Sequence, residues 1–141
     1  MARFRYPLQA LLNALRAYER RAQVEAAATL AEVQRVHAAI DGAVQGAEAA
    51  LRGSGGRDDP PPLSLTATLL LFEASVGARR HQLKSIAAAA GHAGRVFGES
   101  RRRREAVERH RDRSRARFEA ALQRRDERDL EELNRTTGSE F

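Results

Sequence analysis

Apolar side chains recur along two long stretches of the chain at intervals of three and four residues, the spacing of an α-helical face rather than of a β-strand. A polar break at residues 53–62 separates the two stretches and holds three glycines and three of the four prolines. Both residue types interrupt helices. The pattern therefore predicts an all-α fold in a single domain, 1–141: a long antiparallel two-helix coiled-coil hairpin closed by a Gly/Pro turn.

The first predicted helix covers about residues 7–52, since Pro7 suits the first turn of a helix and Gly53 suits its end. Its apolar seam, the row of side chains that faces the partner helix, has two parts with a four-residue stutter between them. The first part is Leu8, Leu11, Leu15, Tyr18 and Ala22. The second part is Ala26, Thr29, Val33, Val36, Ile40, Ala43 and Ala47.

The second predicted helix covers about residues 64–134, and residues 135–141 are expected to form a disordered tail. A bend is expected near residues 91–98, where three glycines weaken the helix. The seam of this helix is the clearest heptad run in the chain: Leu65, Leu69, Phe72, Val76, Leu83, Ile86, Ala90, Ala93 and Phe97. Farther along, it thins to Val107, Ser114, Phe118, Leu122, Leu130 and Leu133.

The second helix is the longer one, so about 25 of its C-terminal residues are expected to project beyond the first helix. A lone helix has no neighbour against which it can bury apolar side chains. The apolar residues of this projecting part are therefore expected to contact another protein. They are Phe118, Leu122, Leu130 and Leu133.

The net charge of +6 is concentrated in residues 95–128, which hold thirteen arginines and seven acidic residues. Three interpretations of this stretch remain open: a surface for an acidic protein partner, a solvated helix face, or a nucleic-acid-binding helix. The interleaved acids disfavour the last interpretation, because they predict ion pairs along the helix such as Glu105–Arg109. Direct nucleic-acid binding is therefore not expected.

Catalytic chemistry finds no support in the residue pattern. The chain has no cysteine, which excludes disulfides and thiolate zinc sites, and its four histidines stand far apart. The glycines near residue 53 lack the lysine and hydroxyl residue of a phosphate-binding loop. We expect no enzyme activity, no cofactor and no metal. A cytoplasmic location is expected, because no apolar run approaches the roughly 20 residues that cross a bilayer.

Both ends of the chain carry a recognisable pattern. The start reads Phe4-x-Tyr6-x-Leu8-x-x-Leu11-Leu12 and continues as Leu15-Arg16-x-Tyr18-Glu19. The end is a dense Arg/Glu helix with the aromatic Phe118 in its middle, and it closes on Asp129-Leu-Glu-Glu-Leu133. These patterns, which together span nearly the whole chain, resemble the FliJ family of flagellar export proteins.

The resemblance implies a component of the flagellar type III protein export apparatus, peripherally associated with the inner face of the cell membrane. Members of this family are stalk-like coiled coils that couple the hexameric export ATPase to the membrane-embedded export gate, and some escort export chaperones. Stalk proteins of injectisomes share this architecture and are an alternative. A basic nucleic-acid-binding coiled coil and a structural coiled-coil adaptor are alternatives from other functional classes.

The resemblance also implies two sets of contact residues. The implied ATPase contacts are Phe4, Tyr6, Leu8, Phe118, Leu122, Arg124, Arg125 and Leu130. The implied export-gate contacts, nearer the middle of the coiled coil, are Leu69, Phe72, Val76 and His81. The first three of these gate residues are also seam positions of the heptad, so helix packing alone accounts for their apolar character.

Overall fold

A computed structural model describes residues 2–54 and 63–138 of the chain. These residues form two α-helices, α1 (Gln9–Ser54) and α2 (Leu63–Gly138), and no strand lies within the described ranges. The two helices pack against each other. The all-α, two-helix prediction is therefore confirmed.

The ends of the helices fall close to the predicted positions. The first two residues of the predicted turn, Gly53 and Ser54, belong to α1, and residues 55–62 of that turn lie outside the described residues. α2 continues through residues 135–138, the first part of the expected tail, whereas residues 139–141 lie outside the described ranges. Residues 91–98 are helical throughout, and the bend expected there stays a prediction.

The glycines of α2 do not serve close packing of the helices. A Cβ atom added at Gly77, Gly94 or Gly98 would meet no neighbouring atom within 4 Å, and one at Gly91 would make an ordinary contact with Arg95. Each glycine therefore weakens the helix, by about 1 kcal/mol relative to alanine, without an evident gain in packing.

Contacts between residues divide the chain into two units. The terminal unit comprises the N-terminal residues as far as Glu19 together with the chain from Glu99 onward, and the central unit comprises Arg20–Gly98. Both units contain a segment of α1 and a segment of α2. None of the helices in the described part of the chain combines the length and the apolar character that crossing a bilayer requires.

The central unit confirms the predicted seam. On α1, Ala22 and Ile40 are buried, and the predicted positions between Ala26 and Ala47 are at least half-buried. On α2, Val76 and Ala93 are buried and the other predicted seam residues from Leu65 to Phe97 are half-buried. The structure adds one polar member to this row. Arg79 lies between Val76 and Leu83 along the seam, and its Nη1 donates a hydrogen bond to the carbonyl oxygen of Ala39 at 3.3 Å.

The terminal unit overturns the predicted seam of the first four turns of α1. The structure leaves Leu8, Leu11 and Tyr18 exposed and instead buries Leu12 completely. The row that faces α2 is Leu12, Leu15, Glu19 and then Ala22, with spacings of three, four and three residues and no stutter. The prediction was right for Leu15 and Ala22 and wrong for Leu8, Leu11 and Tyr18. It failed there because the true row passes through a charged residue, Glu19, which pattern reading assigns to the solvent.

Candidate functional site in the terminal unit

The residues that precede α1 form a short segment that packs on α2. This N-terminal segment, residues 2–8, is not helical, and the amide of Gln9 donates to the carbonyl oxygen of Tyr6 at 3.2 Å where α1 begins. The hydroxyl of Tyr6 lies 2.9 Å from Nδ1 of His110 and donates to the carbonyl oxygen of Val107 at 3.4 Å. Tyr6 is only 8 % exposed, and these contacts give its buried hydroxyl the hydrogen-bond partners that water would otherwise supply.

Two phenylalanines extend this contact along α2. The ring centroid of Phe4 lies 5.5 Å from that of Phe118 and 6.5 Å from that of Tyr6. The rings of Tyr6 and His110 are 5.9 Å apart. These four residues, Phe4, Tyr6, His110 and Phe118, form what we call the aromatic clasp. It ties the N-terminal segment to α2 at two positions, His110 and Phe118, that lie about two turns apart.

The aromatic clasp corrects the expectation that Phe118 has no partner within the chain. Non-helical chain reaches up to about 3.3 Å per residue, against 1.5 Å in a helix. Seven residues before α1 therefore cover much more of α2 than the same number of helical residues. Leu122 is also half-buried, and it lines an open pocket together with Ala2 and Arg125. The part of α2 without an intramolecular neighbour begins later than the sequence predicted.

Four charged side chains form an ionic network next to the aromatic clasp. They are Arg16 and Glu19 of α1 and Arg104 and Glu108 of α2. Arg16 donates to Oε1 of Glu108 from Nη2 at 3.0 Å and from Nε at 3.3 Å. Arg104 donates from Nη1 to Oε2 of Glu108 at 2.6 Å and from Nη2 to Oε1 of Glu19 at 3.2 Å, and its Nε also bonds Glu19. The pairing follows the antiparallel order of the two helix segments in this unit, since the earlier α1 residue, Arg16, bonds the later α2 residue, Glu108.

The network shifts the pKa of two of its members, Glu108 and Arg104, toward their charged forms. The hydrogen bond from Arg16 lowers the pKa of Glu108, and the positive charge of Arg104 adds to this effect against the opposing effect of burial. The hydrogen bond to Glu19 raises the pKa of Arg104, with a further contribution from the charge of Glu108.

One ion pair expected from the sequence is replaced by another. The sequence predicted a pair between Glu105 and Arg109, but Glu105 instead accepts a hydrogen bond from Arg101 at 2.9 Å.

Beyond Leu122, α2 forms a terminal arm, residues 123–138, whose side chains are all exposed. Leu130 and Leu133 are each 60 % exposed, and Arg124 and Arg125 are exposed as well. Among the implied ATPase contacts, Phe4, Tyr6 and Phe118 are covered by other parts of the chain, whereas four others are exposed and open to a partner. These four are Leu8, which is 41 % exposed, and the arm residues Arg124, Arg125 and Leu130.

The implied export-gate contacts lie in the central unit and mostly in its seam. Val76 is buried, Leu69 and Phe72 are half-buried, and His81 is exposed. The exposed apolar side chains at this place are Leu70 and Leu71, which the sequence interpretation missed. The signal was present, because four apolar residues in succession exceed what one helix face can bury.

The hydroxyl of Tyr6 offers a direct test of the aromatic clasp. We expect Tyr6→Phe to lower the free energy of unfolding by about 1 kcal/mol, because the ring stays packed while the bonds to His110 and Val107 are lost. Chemical denaturation followed by circular dichroism measures this change. Tyr18→Phe is the matched control, since Tyr18 is exposed and its hydroxyl has water as an alternative partner. Equal effects of the two changes would show that the clasp is not formed in solution.

Comparisons with known proteins identify no relative of this chain: no family model matches it, and neither a curated protein nor a solved structure matches it. The described residues also contain no group of three or more side chains placed to hold a metal ion.

Proposed function

We propose that this protein is a non-enzymatic component of a flagellar type III export apparatus that couples the export ATPase hexamer to the membrane-embedded export gate. The resemblance of the two chain ends to the FliJ family motivates this proposal. Its proposed location is the cytoplasmic face of the cell membrane, held there by its protein partners. Escort of export chaperones is part of the same proposal.

The observation that carries the proposal is the terminal arm. A stalk that engages a ring needs an end at which chain termini are held together and a surface remains free for the ring. In the terminal unit the aromatic clasp fixes the N-terminal segment to α2, and the terminal arm continues from there with every described side chain exposed. Leu130 and Leu133 are the large apolar side chains of this otherwise polar arm.

The geometry divides the implied ATPase contacts into two roles. Phe4, Tyr6 and Phe118 contact one another or α2, so they support the site from within the chain. The residues that we propose to touch the ATPase are the exposed members of the arm. They are Arg124, Arg125, Leu130 and Leu133.

Leu130→Ala/Leu133→Ala is expected to abolish stimulation of the export ATPase of the same organism while leaving the unfolding of the hairpin nearly unchanged. Truncating anchor residues in a protein interface typically costs about 2 kcal/mol or more each, whereas exposed positions contribute little to stability. The measurements are ATP turnover and ring assembly of the purified ATPase across a range of concentrations of this protein.

Leu70→Ala/Leu71→Ala is the matched control, because it also truncates two exposed leucines of α2, but in the central unit. The control variant is expected to stimulate the ATPase like the unmodified chain. Stimulation that survives the arm substitutions would remove the arm from the proposed contact. Absence of any stimulation by the unmodified chain would overturn the coupling function itself.

A further inference from the structure

α2 separates its charges onto two faces in the terminal unit. Its acidic residues Glu105, Asp112 and Glu119 recur every seven residues and therefore share one side of the helix. Each of them bonds a nearby arginine. The nitrogen–oxygen distances are 2.9 Å for Arg101–Glu105, 3.1 Å for Arg111–Asp112 and 2.9 Å for Arg115–Glu119.

A second set of arginines is not bonded to these acids, although Arg109 lies about one turn from both Glu105 and Asp112. Its members follow one another at spacings of seven, four, four and seven residues, which place them on one helix face. We call this set the arginine stripe: Arg102, Arg109, Arg113, Arg117 and Arg124. All five are exposed, and no acidic partner bonds any of them in the part of the chain that the structure describes. The arginine stripe extends for about 33 Å at 1.5 Å per residue.

The folded hairpin gains nothing from this arrangement. The stripe lies outside the seam row of Val107, Ser114 and Phe118, so it takes no part in packing against α1 or the N-terminal segment. Three of its members, Arg109, Arg113 and Arg117, are neighbours at four-residue spacing, and like charges at that spacing destabilise a helix by about 0.2–0.5 kcal/mol per pair. A polyanionic partner would remove this repulsion.

The chemistry of the stripe favours phosphates over a protein. Only alanines, Ala106, Ala116 and Ala120, accompany the arginines on this face, so it lacks the aromatic and large aliphatic anchors on which protein interfaces depend. The planar guanidinium group bonds phosphate oxygens in pairs. A row of this length also needs phosphates along all of it. The phosphates of a nucleic-acid duplex wind around the duplex axis, so a straight α-helix meets them only where a nucleic-acid strand crosses it.

We propose that the arginine stripe binds a membrane surface rich in anionic phospholipids, with α2 lying along that surface. A flat array of lipid phosphates contacts all five arginines at once, and each basic residue near such a surface adds to binding. Glu99 and Glu127 limit the binding face at its two ends. Arg124 is the one stripe residue that is also a proposed ATPase contact, and the test below leaves it unchanged. The proposal therefore stands or falls separately from the coupling function.

The test compares two triple variants of the full chain that remove the same charge from the same helix. The stripe variant is Arg109→Gln/Arg113→Gln/Arg117→Gln. The control variant is Arg101→Gln/Arg111→Gln/Arg115→Gln, which removes the arginines that bond acids. Binding is measured by co-sedimentation with vesicles of phosphatidylcholine alone and of phosphatidylcholine mixed with phosphatidylglycerol. Each measurement is repeated at about 0.3 M salt, where the Debye length is about 6 Å and contacts between exposed charges are weakened.

The unmodified chain is expected to bind the mixed vesicles at low salt and to bind pure phosphatidylcholine weakly. The stripe variant is expected to lose about 100-fold in partition coefficient, and the control variant less than tenfold. Equal losses would overturn the proposal, because they would show that net charge alone drives binding. Absence of binding to mixed vesicles would overturn it as well. Stronger and stripe-dependent binding to a DNA duplex or to an acidic helical peptide would assign the stripe to a different partner.

Discussion

Leu12→Ala is expected to lower the free energy of unfolding by about 3 kcal/mol, a large part of the stability of a small two-helix protein. Leu12 is 0 % exposed, and it is the only large apolar side chain that is fully buried in the described residues. Its truncation removes buried methyl groups and leaves a cavity between α1 and α2. Denaturant unfolding followed by far-ultraviolet circular dichroism measures the change as a lower midpoint with an unchanged slope.

The neighbouring residue supplies the matched control. Leu11→Ala removes the same atoms one position earlier, from a side chain that is 46 % exposed, and it is expected to cost less than about 1 kcal/mol. The two variants gain the same helix propensity, so the difference between them reports burial alone. A larger loss for Leu11→Ala would show that the seam runs through Leu8, Leu11 and Tyr18 after all, as the sequence pattern suggested.

The seam of the central unit was predictable because its residues follow the apolar heptad with a single interruption, at Arg79. Between Ala26 and Ala47 on α1, and between Leu65 and Phe97 on α2, the buried rows consist mainly of apolar or small side chains. Local periodicity is sufficient information when each position that faces the partner is apolar. Arg79 escaped notice because a single charged residue among apolar neighbours is normally assigned to the solvent.

The seam of the terminal unit was not predictable in the same way, because its charged members are acceptable only as a set. Glu19 lies in the seam because Arg104 reaches it from a position 85 residues away along the chain. No local pattern contains that pairing. One clue was available: Leu12, Leu15, Glu19 and Ala22 continue the three-four spacing of the rest of α1, whereas the predicted row required a stutter.

The candidate site was predictable in its composition but not in its arrangement. The sequence singled out Phe4, Tyr6 and Phe118, and the structure brings these three together. The sequence analysis assigned all three to a surface for another protein. For Phe118 the reason was that a purely helical register leaves it beyond the end of the first helix, and for Phe4 and Tyr6 the reason was the family resemblance. Nothing in the local sequence marked His110 as the partner of Tyr6. That contact depends on the path of a non-helical segment, for which residue spacing carries little information.

Arg104→Leu is expected to lower the free energy of unfolding by about 2 kcal/mol, measured by denaturant unfolding at neutral pH. Removing one partner of a buried ion pair costs about 3–5 kcal/mol, and the thin seam of two helices leaves the network close enough to water to reduce this figure. The loss arises because Glu19 loses its hydrogen-bond donor and Glu108 loses one of its two arginine partners. Arg102→Leu, at an exposed position without a bonded acid, is the control and is expected to change little.

Acid titration separates the contribution of Glu108 within the same network. The folded state holds the pKa of Glu108 below its ordinary value of 4.5. Its stabilising contribution is therefore complete above that unfolded value and is lost as the pH falls through the lower folded value. Stability of the unmodified chain is expected to decline with pH in this acidic range. In Glu108→Gln the decline is expected to be smaller, although this variant starts from a lower stability at neutral pH.

The double variant Glu19→Leu/Arg104→Leu decides whether the network stabilises the hairpin or specifies its register. Both residues occupy seam positions, and replacing a buried ion pair by packed apolar side chains is often neutral or stabilising. We therefore expect the double variant to recover the stability that Arg104→Leu loses, with Glu108 still bonded to Arg16. Loss of the specific Glu19–Arg104 pairing permits the helices to slide more easily, so distances between spin labels on α1 and α2 are expected to broaden at the same time. Recovered stability with narrow distances would mean that the apolar positions, Leu12 foremost, set the register without the charges. A double variant as unstable as Arg104→Leu alone would show that the ion pair itself contributes net stability.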